Sequence, residues 1–175
     1  MTGRRPYNVL FVCTGNSARS IMAECIINRE GMGNFKGFSA GSHPREEVHP
    51  MAIDLLKSNN YKVEDLAPKD WESFTKPGAP ELDFVFTMCD SAANEVCPVF
   101  PGQPISAHWG MPDPASVQGT EAERRFAFAD TFRMITQRVG IFVNLPLRSL
   151  DRLSLQKRMD EIGRGEGADA SAEAP

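Results

Sequence analysis

The residues best able to do chemistry lie in one run near the N-terminus, Cys13-Thr14-Gly15-Asn16-Ser17-Ala18-Arg19-Ser20. It follows Tyr7 to Val12, a β-branched and apolar stretch that suits a buried strand. From Ser17 to about Glu30 the residues Ile21, Met22, Cys25 and Ile26 form one apolar stripe, which predicts a helix stopped by Gly31 and Gly33. A tight strand-to-helix loop turns successive backbone N–H groups and a helix N-terminus toward one point. Residues Thr14, Gly15, Asn16, Ser17, Ala18 and Arg19 can therefore cradle a tetrahedral oxyanion. Gly15 lets the backbone close tightly, and the Arg19 guanidinium can clamp two oxygens. The same positive setting is expected to lower the pKa of Cys13 toward the nucleophilic thiolate, with Ser20 donating a hydroxyl hydrogen bond to the sulfur.

The surrounding elements alternate. Phe35 to Ala40 reads as a second strand, and Pro50 opens a helix that runs from Met51 to about Ser58. Lys69 to Phe74 predicts one short helix. Leu82 to Met88 predicts a third strand ending at Cys89, and Ile105 to Trp109 a weaker fourth. Thr120 and Glu123 have capping-box spacing ahead of Phe128, Phe132, Ile135, Val139 and Phe142, a helical stripe. Pro146 breaks that helix, and Leu147 to Ile162 predicts another. Such alternation implies an α/β fold, a parallel sheet with helices on both faces.

At 175 residues the chain has the length of a single domain, and its 41% hydrophobic and 24% charged residues describe a folded protein. A formal net charge of −4 disfavours a nucleic-acid partner. No apolar run nears the roughly 18 residues of a membrane helix, and the short apolar stretch after Arg4 and Arg5 is unlike a signal peptide; a cytoplasmic protein is expected. In a reducing compartment Cys13, Cys25, Cys89 and Cys97 read as buried, catalytic or redox-active. His43, His49 and His108 supply no close Cys/His pairs, so no zinc site is expected.

The motifs VCTGNSARSIMAE, FSAGSHP, TMCDSAANEVCP and HWGMPDPA together resemble the low-molecular-weight protein tyrosine phosphatase superfamily. Within it the chain is most similar to the arsenate reductases that recycle through thioredoxin, over roughly Asn8 to Phe142. The resemblance implies a four-stranded parallel sheet flanked by helices. It divides the chain into a phosphatase-like domain, 1–145, a helical extension, 146–162, and a disordered tail, 163–175. It also implies that Cys13 attacks the oxyanion and that Asp113 is the general acid, although an Asp before Pro114 is also an ordinary turn former. Two branches then open. In a reductase, Cys89 attacks Cys13 to expel arsenite, and Cys97 takes the disulfide onward to an external thiol reductant, a thioredoxin or glutaredoxin system, with no bound cofactor. In a phosphatase, water hydrolyses a Cys13 phosphoenzyme formed from a phosphomonoester. Ala115 and Ser116 stand where the phosphotyrosine enzymes place aromatic residues, which favours a small inorganic oxyanion.

Several residues have plainer expectations. Cys25 reads as core, Trp109 as packing, and His43 and His108 as surface or hydrogen-bonded histidines. Asn16 is expected to bond its own loop backbone. Glu24, Ser39 and Asp70 align with residues that join the loop asparagine around a monovalent cation in some relatives, which makes potassium a weak candidate.

Overall fold

The computed structural model describes residues 5–89 and 98–165. Its sheet is built from β1 (Tyr7–Cys13), β2 (Phe35–Gly41), β3 (Phe84–Thr87) and β4 (Ile105–His108), in the order β2-β1-β3-β4 with every pairing parallel. Four α-helices lie among the described residues: α1 (Arg19–Glu30), α2 (Pro50–Ser58), α3 (Glu121–Val143) and α4 (Arg152–Gly163). This is the expected α/β architecture.

Burial explains the composition of β1. As an inner strand it is covered on both faces, so Val9 to Cys13 are all buried and apolar rather than alternating. The face bearing Phe11, Phe84 and Phe86 receives α3 through Phe142, whose ring packs edge-on against Phe84 and Phe86. Trp109 stacks on Phe86 with ring centroids 3.8 Å apart. Helix α1 approaches the same face closely, and a Cβ on Gly37 of β2 would collide with Ile27. On the opposite face Phe38 meets Phe74, from the 3-10 turn Trp71–Phe74.

The periodicity misjudged some ends. The helix expected over Lys69 to Phe74 is that single 3-10 turn, because the Asp70 carboxylate accepts from Glu72 N–H and starts it late. The helix expected from Leu147 begins only at Arg152, where Asp151 caps it by accepting from Ser154 N–H at 2.7 Å. Helix α3 starts at the expected capping box of Thr120 and Glu123. Helix α4 lies against β4: Met159 and Ile162 are buried, Gln156 donates to the Ser106 carbonyl, and the Trp109 indole N–H donates to the Met159 carbonyl at 3.0 Å. No helix among the described residues is long and apolar enough to cross a membrane.

Candidate active site

Because the strands are parallel and nearly level, their carboxyl ends share one edge. Cys13 stands opposite Gly41, Val12 opposite Thr87, and Thr87 opposite His108. The loops after all four strands therefore converge, at the place where open α/β sheets bind ligands.

The segment after β2 fixes the Cys13–Arg19 loop through its carbonyls. Ser42, His43, Arg45 and His49 donate backbone N–H bonds to the carbonyls of Cys13, Thr14, Gly15 and Ser17, at 2.9 to 3.3 Å. With those carbonyls turned outward, the loop amides are left for the cavity. Ala18 caps α1 without a side-chain hydrogen bond, so the first-turn amides remain available as well. Gly41 is required by close approach, since a Cβ there would lie 2.5 Å from the Thr14 carbonyl oxygen. Asn16 holds a left-handed φ of 47°, which asparagine tolerates. Its amide does not bond its own backbone as expected. It donates to Ser20 Oγ at 2.8 Å and accepts from Lys69 N–H at 2.8 Å, pinning the loop to the far side of β2.

The resulting cavity, of about 350 Å³, is lined by Cys13, Thr14, Gly15, Ser17, Ala18 and Arg19 from the loop, His43, Arg45 and His49 from the segment after β2, and Asp113 and Ala115 from the segment after β4. Arg19 reaches across it, donating through Nη1 to the Met111 carbonyl at 2.9 Å while Nη2 lies 3.8 Å from Asp113 Oδ2. Asp113 caps the 3-10 turn Pro114–Ser116 by accepting from Ala115 N–H, so the turn-forming and site-facing roles coexist. No Phe, Tyr or Trp side chain lines the cavity among the described residues. Tyr61 is engaged elsewhere, beneath the Arg29 guanidinium.

The sheet also brings Cys89 to Cys13. Both cysteines are buried, and Cys89 Sγ is 3.4 Å from Oγ1 of Thr14, the residue next to Cys13. Cys97 falls outside the described residues. Two expectations fail here. The Cys13 thiol is not acidified: its hydrogen bond with Cys89, and then its burial, push it well above the usual thiol range, outweighing Arg19 and the Thr14 N–H that pull it down. Ser20 Oγ is engaged instead by Asn16, whose amide N–H it accepts at 2.8 Å.

Other residues near the site have simpler roles. Cys25 is buried on α1, and burial pushes its thiol up to about 12, the environment of an inert core cysteine. His108 Nδ1 is 2.8 Å from Thr87 Oγ1, whereas His43 and His49 line the cavity. His49 Nδ1 accepts from Met51 N–H as the cap of α2, and its ring packs on Phe128; burial, with Arg124 adding to it, holds it below the usual imidazole value. The candidate cation residues do not fit such an ion. Glu24 Oε1 already accepts from Ser39 Oγ and lies 3.7 Å from Lys69 Nζ, and Asp70 is spent on its own turn. Sequence reasoning missed Arg45 and His49 as lining residues. The only local signal was a polar residue ahead of Pro50; the pairing that brings them in is backbone to backbone.

A thiol, a guanidinium and a carboxylate thus border one cavity at the carboxyl edge of a four-stranded parallel sheet. The chain belongs to the low molecular weight phosphotyrosine protein phosphatase family, which it matches over residues 8–156. Among its curated relatives, the arsenate reductase of Oceanobacillus iheyensis is 32% identical over 134 residues, covering 77% of this chain and 93% of that protein. Of solved structures, the arsenate reductase of Archaeoglobus fulgidus aligns with a TM-score of 0.57 at 28% identity, over 75% of this chain and 98% of its own. The thioredoxin-dependent arsenate reductase of Corynebacterium glutamicum shares the fold, with a TM-score of 0.54 at 22% identity over 81% of this chain; the match spans 65% of that longer chain.

Proposed function

We propose that the protein reduces arsenate to arsenite through a thiol relay of Cys13, Cys89 and Cys97. The observation that carries this reading is the placement of Cys89 against the Cys13 loop, its Sγ 3.4 Å from Oγ1 of Thr14, beside the thiol that lines the oxyanion cavity. The arsenate reductases among its relatives support it. Simple ester hydrolysis would leave the second thiol idle.

Arsenate enters as a dianion, held by the loop amides and Arg19, and takes the proton of the Cys13 thiol. The resulting thiolate attacks arsenic; an oxygen leaves as water with a proton from Asp113, and a Cys13–arsenic bond forms. Cys89 Sγ then attacks Cys13 Sγ. The sulfur–arsenic electron pair stays on arsenic, so As(V) becomes As(III) while two thiols become the Cys13–Cys89 disulfide. Cys97 attacks Cys89, frees Cys13 and leaves a Cys89–Cys97 disulfide, which an external dithiol of the thioredoxin or glutaredoxin type reduces. Such a cycle belongs in a reducing compartment, the cytoplasm. Residues 1–145 form the reductase domain in this reading, 146–162 its helical extension and 163–175 its tail.

Phosphomonoester hydrolysis needs only Cys13, Arg19 and Asp113, but Ala115 in place of a ring offers no platform for an aryl ester. Replacing Cys97 by Ser separates the two readings. Arsenate turnover with a thioredoxin system is expected to stop after about one cycle, with the Cys13–Cys89 disulfide recovered by peptide mass spectrometry, while any hydrolysis of an activated aryl phosphate persists. Undiminished multiple turnover by the variant refutes the relay.

A further inference from the structure

Two guanidinium groups, not one, border the oxyanion cavity. Arg45 donates its backbone N–H to the Gly15 carbonyl at 2.9 Å, so its side chain is rooted on the rim of the loop itself. That side chain folds back over the loop: a Cβ added to Gly15 would lie 3.0 Å from Arg45 Nε and 3.2 Å from Arg45 Cγ. The two arginines are differently committed. Arg19 is tied to the Met111 carbonyl and faces Asp113, whereas among the described residues no carboxylate lies within ion-pair distance of the exposed Arg45.

We propose that Arg45 is a specificity-determining residue of this site, selecting inorganic oxyanions over esters by pairing with the oxygen that points out of the loop. The inference rests on the oxyanion reading of the loop and adds to it. In-line attack by Cys13 requires the departing oxygen to lie opposite the sulfur, toward the mouth that Arg45 and Asp113 border. On a free oxyanion that oxygen is a hydroxyl or oxide, able to accept a charge-assisted hydrogen bond. On a monoester the same oxygen carries carbon, offers a weaker acceptor and places an uncharged group against the guanidinium. A cation there discriminates as an aromatic platform would, but in the opposite sense.

The test compares the wild type with Arg45→Met, which keeps a stem over Gly15 without the charge, and Arg45→Lys, which keeps the charge. Calorimetric titration is carried out on the reduced, full-length protein with two probes, inorganic phosphate and phenylphosphonate, whose outward substituent is a neutral ring. Arg45→Met is expected to weaken phosphate about tenfold and phenylphosphonate less than about twofold, as removal of one charge-assisted hydrogen bond that only phosphate can make requires. Arg45→Lys is expected to recover most of the phosphate affinity. Equal weakening of both probes, or of neither, overturns the assignment, as does a wild type that binds no phosphate. Arsenate turnover by the wild type is assayed in parallel. Its absence, with the phosphate effect intact, overturns the reductase reading and leaves Arg45 standing.

Discussion

Replacing Cys89 by Ala is expected to make Cys13 a markedly stronger acid. In the wild type the largest influence on that thiol is its hydrogen bond with Cys89, burial is the next, and both oppose Arg19 and the Thr14 N–H. The substitution removes the first and leaves the second. Cys89 raises Cys13 by its negative charge as well, so the bond concerned is one from the Cys13 S–H to a Cys89 thiolate; such a charged hydrogen bond is of about 1.5 to 3 kcal/mol. At about 1.4 kcal/mol per pH unit, its loss lowers the Cys13 midpoint by about one to two pH units. The assay is the rate of iodoacetamide alkylation against pH, with Cys13 modification read by peptide mass spectrometry so that Cys25 and Cys97 do not contribute. The wild type should alkylate slowly at neutral pH and the variant faster, with its curve displaced to lower pH. Linkage gives a second readout. A thiol raised above its unfolded value contributes fully to stability below the ordinary thiol range, and that contribution is lost as the pH rises through the folded value. Urea midpoints of the wild type should therefore fall as the pH rises above about 9, and those of the variant should fall less. A variant whose Cys13 titrates at or above the wild-type pH refutes the coupled pair.

Two further outcomes follow from the geometry. Asp113→Asn keeps an oxygen to cap Ala115 N–H but has no proton to give, so arsenate turnover should fall about 10² to 10⁴-fold while phosphate affinity changes little; steady-state kinetics beside calorimetry checks this, and equal losses in both would reassign Asp113 to binding. Truncation after Leu150 exposes the partners of Met159 and Ile162, roughly 1.5 to 3 kcal/mol each, and strips the Trp109 indole N–H of its acceptor. A clearly lowered urea midpoint is expected, and an unchanged one would mean that α4 is dispensable to the core.

The sheet and the oxyanion loop were legible because their signals are local. Val9 to Val12 is apolar without alternation, as an inner strand of a parallel sheet must be, and the loop's glycine, arginine and following helical stripe are contiguous in the chain. The corrected features share the opposite property. The 3-10 turn at Trp71 and the late start of α4 depend on Asp70 and Asp151, single carboxylates that capture a backbone N–H and override the apolar pattern. The partnering of Asn16 with Ser20 and Lys69 rather than with its own loop depends on a segment 53 residues away.

The amino-acid sequence by itself determined which groups are available: one nucleophilic sulfur in a strand-to-helix loop, an arginine six residues on, further thiols after the third strand, and no ring beside the acid. Tertiary structure alone decided the state of that sulfur. Reading the loop in isolation predicts a thiolate, because amides and Arg19 are its only visible neighbours. Parallel pairing of β1 with β3 instead places Cys89 against Cys13 in a buried site, where a shared hydrogen bond and desolvation outweigh the nearby positive charge. Ionisation depends on every group within a few ångströms and on the water excluded between them, and both are set by chain segments more than seventy residues apart in this fold.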